Sequence, residues 1–213
     1  GFQNEAFEEV NAQDMIANIL PRRTRPILLA ELFRVPGDAD SDALTQAVEN
    51  MTNAYGENIV VLAHHTENGD AYRPPDGSST LDRIMERANR YRATSAPPTV
   101  VINGHADAAV TGTGDVNLDA LDVHSEVSRQ MADPVTIRVT GECVMGTTPA
   151  PENRPVFKGD VYVSRLDQQE PESETLTLNT ALIEDVDGGP RWVIRQFLDQ
   201  QTVTIGYGET VVV

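Results

Sequence analysis

Ala96-Pro97-Pro98-Thr99-Val100-Val101-Ile102-Asn103-Gly104 is the stretch on which the reading of the fold turns. Two prolines fix the backbone ahead of a β-branched apolar run, and Asn-Gly closes it with the pair best suited to positive φ. The segment predicts a constrained entry, a buried strand and a hairpin turn.

Working upstream, Ile27 to Phe33 is an almost unbroken apolar run, as expected of a strand covered on both faces, and Glu31 is its one interruption. An acid at that point reads as edge-exposed or paired, and burial would demand a partner. Acids from Asp38 to Asp42 then open a helix with Ala43, Leu44, Ala47, Val48 and Met51 on one face. A second strand runs from Ile59 to Ala63 and ends at His64-His65, followed by an irregular loop from Thr66 to Ser78. Ser79 with Asp82 starts the next helix in a capping-box pattern, with Leu81, Ile84, Met85 and Ala88 as its core stripe.

Downstream, His105 to Thr111 is expected to return antiparallel to the Pro-Thr strand, and Asp115 to Met131 to form a helix with Leu118, Leu121, Val127 and Met131 inward. At Asp133-Pro134 the period of the apolar pattern changes to two. Strands are expected at Val135 to Thr140, Val156 to Leu166, Thr175 to Ile183, Trp192 to Leu198, Thr202 to Ile205 and Thr210 to Val213. No helix separates them, which points to an antiparallel sandwich. The division is therefore a lead-in over 1–25, an α/β domain over 26–132 and an all-β sandwich over 133–213. Within the lead-in a short amphipathic helix is expected before Pro21, and Arg22, Arg23 and Arg25 read as a solvated linker.

Two groups invite a metal reading. Asp38, Asp40 and Asp42 alternate as calcium-loop carboxylates do, with Glu49 where an EF-hand has its bidentate ligand. Ala43 stands where that loop needs glycine, and helix capping accounts for the same acids. His64 and His65 are neighbours on a strand and so face opposite ways, which makes them a poor chelating pair and favours capping or surface roles. Calcium or zinc at Asp38, Asp40 and Asp42 remains the alternative to a chain without metal or cofactor.

The order strand, helix, strand, helix, Pro-Thr strand, hairpin, helix resembles the thioredoxin-like fold, βαβαββα. Leu29 to Phe33, Val60 to His64 and Pro98 to Gly104 carry the resemblance, and Ala181 to Asp185 with Val193 to Phe197 is similar to later strands of secreted bacterial relatives that add a β-sandwich. The resemblance implies structural roles for Pro98, as a cis residue, and for Thr99. It also implies a periplasmic or cell-envelope location and protein partners in a membrane-associated complex. Relatives place a reactive Cys-x-x-Cys at the start of the first helix, where this chain has Gly37-Asp38-Ala39-Asp40-Ser41-Asp42. Disulfide exchange proceeds by sulfur attacking sulfur, so one cysteine, Cys143, excludes a dithiol mechanism. Cys143 itself reads as a small core residue. The expectation is a non-catalytic binding or structural subunit.

The totals agree with that class. The 213 residues suffice for one large or two modest domains. A net charge of −17, with Lys158 the only lysine, argues against nucleic acid or anionic lipid, whose phosphates need clustered cations. No run reaches the ~18 to 20 apolar residues of a membrane-spanning helix. Gly1 opens into polar sequence without a basic-then-apolar leader, which is also what a trimmed, exported chain shows.

Overall fold

Strand β1 (Leu28–Arg34) is paired along both edges and covered on both faces. Leu28, Ala30 and Leu32 fill one side and Phe33 the other, all at most 2% exposed. The computed structural model describes residues 27–35, 37–94, 98–133, 135–147, 155–166, 172–187 and 189–213. The expected lead-in helix and the Arg22 to Arg25 cluster lie outside them.

The described chain falls into two units. The first comprises residues 26–133 and 179–199 and is built on a six-stranded mixed sheet. Its elements are β1, helix α1 (Ala39–Tyr55), β2 (Ile59–His65), α2 (Ser79–Arg90), β3 (Thr99–Ile102), β4 (Val110–Thr111) and α3 (Val116–Gln130). Two later strands, β8 (Ala181–Glu184) and β9 (Val193–Phe197), complete the order β4-β3-β1-β2-β9-β8. β1 and β2 are parallel, with Leu28 opposite Ile59 and Arg34 opposite His65, and β3 is antiparallel to β1.

The pleat assigns the layers. On one face Leu28, Ala30, Leu32, Val61, Val100 and Ile102 meet Leu44 and Val48 of α1 and Val123 and Val127 of α3. On the other, Phe33 and Val101 pack with Ala88 and Tyr91, while Leu62 packs with Ile84 of α2. Val100, Val101 and Ile102 are all 0% exposed, and each such burial stabilises by about 1.5–3 kcal/mol. The helices start on side-chain caps: Asp38 accepts from Ser41 N–H, Ser78 from Leu81 N–H, and Asp115 from Asn117 and Leu118 N–H. The second cap is Ser78, one residue before the expected Ser79.

The Pro-Thr strand is as read, and Asn103 and Gly104 do take positive φ of 50° and 74°. The return is shorter than expected. A 3-10 turn (Ala106–Ala108) intervenes, and only Val110–Thr111 pairs with β3. On the other edge of β3, Asn103 carries the pairing with β1 one step further: its N–H donates to Leu29 O at 2.8 Å, and its Oδ1 accepts from Leu29 N–H at 2.9 Å.

The second unit, residues 134–178 and 200–213 among those described, is β-rich. β5 (Ile137–Thr147) and β6 (Pro155–Arg165) form an eleven-pair antiparallel ladder that β11 (Thr210–Val212) extends. β7 (Ser173–Leu178) pairs with β10 (Gln201–Gly206). Cys143 stands within β5 opposite Gly159. The expected strand over 175–183 is broken at Asn179 and Thr180, and Val139 of β5 is 49% exposed.

The division at 133 therefore needs one amendment. Residues 179–199 rejoin the α/β unit, where Ala63 N–H donates to Trp192 O and Ala63 pairs with Val193. β2 would otherwise be a sheet edge, and Val193, Ile194 and Phe197, all buried, cover it. A period-two pattern shows that a strand forms but not which sheet it joins. In α3, Leu118 and Leu121 point outward at 54% and 63% exposure, while Val123 and Val127 are buried with Asp119, Glu126 and Gln130. Among the described residues no helix is long and apolar enough to cross a membrane.

Gly112 ties three elements together. A Cβ there would lie 2.9 Å from Pro98 Cγ, 3.1 Å from the carbonyl oxygen of Asp40 and 3.3 Å from Leu44 Cβ. Gly112→Val is expected to lower unfolding free energy by about 1–3 kcal/mol, read from urea unfolding. An unchanged midpoint would show that this approach is not close.

Candidate functional site

The start of α1 is where the sequence places its candidate acids. Asp38 is the helix cap, accepting from Ser41 N–H at 2.8 Å, and Ser41 Oγ accepts from Val35 N–H at 2.8 Å. Asp42 reaches Arg34 at 3.7 Å. Asp40 lies against Gly114, where a Cβ would be 2.5 Å from its Oδ1. The three carboxylates are drawn to three different partners. Among the described residues no group of three His, Cys, Asp or Glu side chains converges to hold a metal. Glu49 lines a cavity further along α1.

Pro98 and Thr99 face this helix start through Gly112. Pro98 O accepts from Gly112 N–H at 2.7 Å, and Thr99, 4% exposed, pairs with both Phe33 and Thr111. The cis bond expected ahead of Pro98 involves Pro97, which lies outside the described residues.

The two histidines do face opposite ways, but both are buried rather than at the surface, at 0% and 2% exposure. His64 turns toward α2. Its Nε2–H donates to Glu31 Oε2 at 3.1 Å, and its ring stacks on Phe33 with centroids 4.4 Å apart. Glu31, 1% exposed, also accepts from Arg87 at 2.8 Å on both oxygens and from Tyr91 O–H at 3.0 Å. The carboxylate is thus buried and paired. Burial alone would raise its pKa, yet the His64 hydrogen bond and the Arg87 charge, with Tyr91, hold it below the usual 4.5. Burial pushes the His64 ring below its ordinary 6.5, so the imidazole is neutral at pH 7.

His65 turns to the other face. Its Nδ1 lies 2.5 Å from Asp70 Oδ2, and both side chains are 2% exposed. Burial outweighs the Asp70 hydrogen bond and places the His65 pKa below 6.5 as well. The neutral ring then donates Nδ1–H to the carboxylate. Asp70 is held in turn by Tyr72 N–H at 2.9 Å on Oδ1. This pair borders a cavity of about 480 Å³ with Arg34, Glu49, Tyr72 and Arg191. It adjoins the C-terminal ends of the parallel strands β1 and β2, the side on which open α/β sheets receive ligands.

Sequence reasoning reached Glu31, His64 and His65 but not the partners that give them their setting. Arg87 and Tyr91 stand 56 and 60 residues from Glu31. Arg191 reaches the cavity from the segment before β9. Only Asp70, five residues beyond His65, had a local signal.

No family model matches the chain, and no curated protein matches it. Among solved structures it is similar to a structural-genomics protein from Agrobacterium tumefaciens at 16% identity and a TM-score of 0.52, over 90% of this chain and 78% of that one. At that identity the likeness concerns the fold, an α/β unit accompanied by antiparallel β-structure.

Two outcomes follow from the buried groups. A histidine whose folded pKa is depressed contributes stability that is whole above pH 6.5 and is lost as the pH falls below it, because the unfolded chain binds a proton that the folded ring refuses. Glu31, also depressed, adds a loss only below its ordinary 4.5. Urea unfolding across a pH series is expected to show falling stability below pH 6.5, with a shallower fall in His64→Phe; equal slopes would contradict the assignment. Glu31→Gln is expected to cost roughly 3 kcal/mol, since it leaves Arg87 facing a neutral partner in a largely buried site. A cost within measurement error would show that the pair carries no net stability.

Proposed function

We propose that the protein is a non-catalytic binding module of the bacterial cell envelope, built on a thioredoxin-like scaffold whose reactive position has been closed. The order β4-β3-β1-β2 supports the scaffold reading, with β1 parallel to β2, β3 antiparallel, α1 and α3 on one face and α2 on the other. The observation that carries the functional reading is at the start of α1. Where relatives hold a thiol pair opposite a proline, this chain packs Pro98 and Asp40 onto Gly112 and spends Asp38 on its own backbone. No sulfur stands there, and the acids would repel an approaching thiolate.

A scaffold kept without its chemistry serves recognition. The envelope location and the membrane-associated complex rest on the resemblance to secreted bacterial two-domain proteins carried by Leu29 to Phe33, Val60 to His64 and Pro98 to Gly104. After mild detergent extraction from its own cells, the chain is expected to run in a complex well above its 23.2 kDa, and Cys143→Ser is expected to leave that complex unchanged. Recovery only as a free monomer, or loss of the complex with Cys143→Ser, would contradict the reading.

A further inference from the structure

Arg34 and His65 line the same cavity, and each has one buried nitrogen with no hydrogen-bond partner: Nε of Arg34 and Nε2 of His65. Buried polar groups in folded proteins are nearly always paired. Here the two needs are opposite. With Asp70 taking Nδ1–H at 2.5 Å, the His65 ring presents a lone pair at Nε2 and calls for a donor. The Nε–H of Arg34 calls for an acceptor.

The charges on the cavity wall also balance. Arg34 and Arg191 stand against Glu49 and Asp70. Asp70 is occupied by His65 and Tyr72 N–H. Among the described residues Arg34 pairs with Asp42 alone, 3.7 Å away and mostly in solvent, and Arg191 stacks on Trp192 with Asp185 at 3.4 Å. Glu49 is half-buried and accepts a hydrogen bond from Gln46 at 3.3 Å. A simple anion would satisfy Arg34 and leave His65 unpaired, and a simple cation would do the reverse.

We propose that this cavity binds a small zwitterion of the amino-acid type, its carboxylate held by Arg34 with Arg191 and its ammonium donating to His65 Nε2 and Glu49. Charge-assisted hydrogen bonds at both ends favour such a ligand over a neutral polyol. The cavity, about 480 Å³, lies within the size range of small-molecule sites. The inference rests on these side chains and not on the scaffold reading.

Isothermal titration of the full chain with L-serine, L-glutamate and L-glutamine tests it, with acetate, methylamine and glycerol as comparators. At least one amino acid is expected to bind saturably with a Kd below about 1 mM. The comparators are expected to bind about tenfold more weakly or not at all, since each satisfies one end of the site alone or both without charge. Arg34→Gln and Glu49→Gln are each expected to weaken the amino acid by about tenfold or more. Glu49→Gln lies on a half-exposed helix face and carries the test if Arg34→Gln fails to fold. No saturable heat with any of the three amino acids, comparators that bind equally well, or full affinity retained in Glu49→Gln would overturn the proposal.

Discussion

A carboxylate inside a strand organises the α/β unit. Glu31 sits on β1 with 1% exposure, and nothing on its own strand can satisfy it. Its partners come from β2, through His64, and from α2 and the residue that ends it, through Arg87 and Tyr91. An ionised group there is tolerable only if all of these are in place at once. The position of α2 over the sheet is thereby fixed by more than apolar contact, which is non-directional. Phe33 stacked on His64 and Arg87 placed over the Phe197 ring extend the same cluster toward β9.

The strand pleat carries this constraint to the opposite face. His64 and His65 are adjacent, so fixing one toward α2 turns the other toward α1. His65 meets Asp70 there, which pins the loop after β2 and forms one wall of the cavity. The layer that stabilises and the layer that offers a site are thus set by neighbouring residues of one strand. The start of α1 adds a third fixed point, since Gly112 permits Pro98 and the helix backbone to approach.

Local chemistry made much of this legible. The Pro-Thr strand, the left-handed Asn103-Gly104 pair and the cap at Asp38 follow from backbone preferences that act over a few residues. The fold places β8 and β9 where an alternating pattern could not, because pairing partners are chosen by open edges elsewhere in the chain. The inward face of α3 departs from its apolar pattern for a related reason. Asp119 is buried because it accepts from Thr113 N–H at 2.9 Å and Oγ–H at 2.7 Å, and Gln130 because it meets Asn103 and Glu126. Polar loops that need partners outcompeted Leu118 and Leu121 for that face. The site was half legible: Glu31 stood out as a charge in an apolar strand, whereas its partners and Arg191 are brought close only by the tertiary fold.

Nitrogen chemical shifts of the histidine rings, followed by NMR through a pH titration of the intact chain, test this account most directly. It predicts that at about pH 7 both rings of the adjacent pair are neutral in opposite tautomers, His64 protonated at Nε2 and His65 at Nδ1, with both titrating below the ordinary 6.5. Identical tautomers, or a His64 midpoint at or above 6.5, would contradict it.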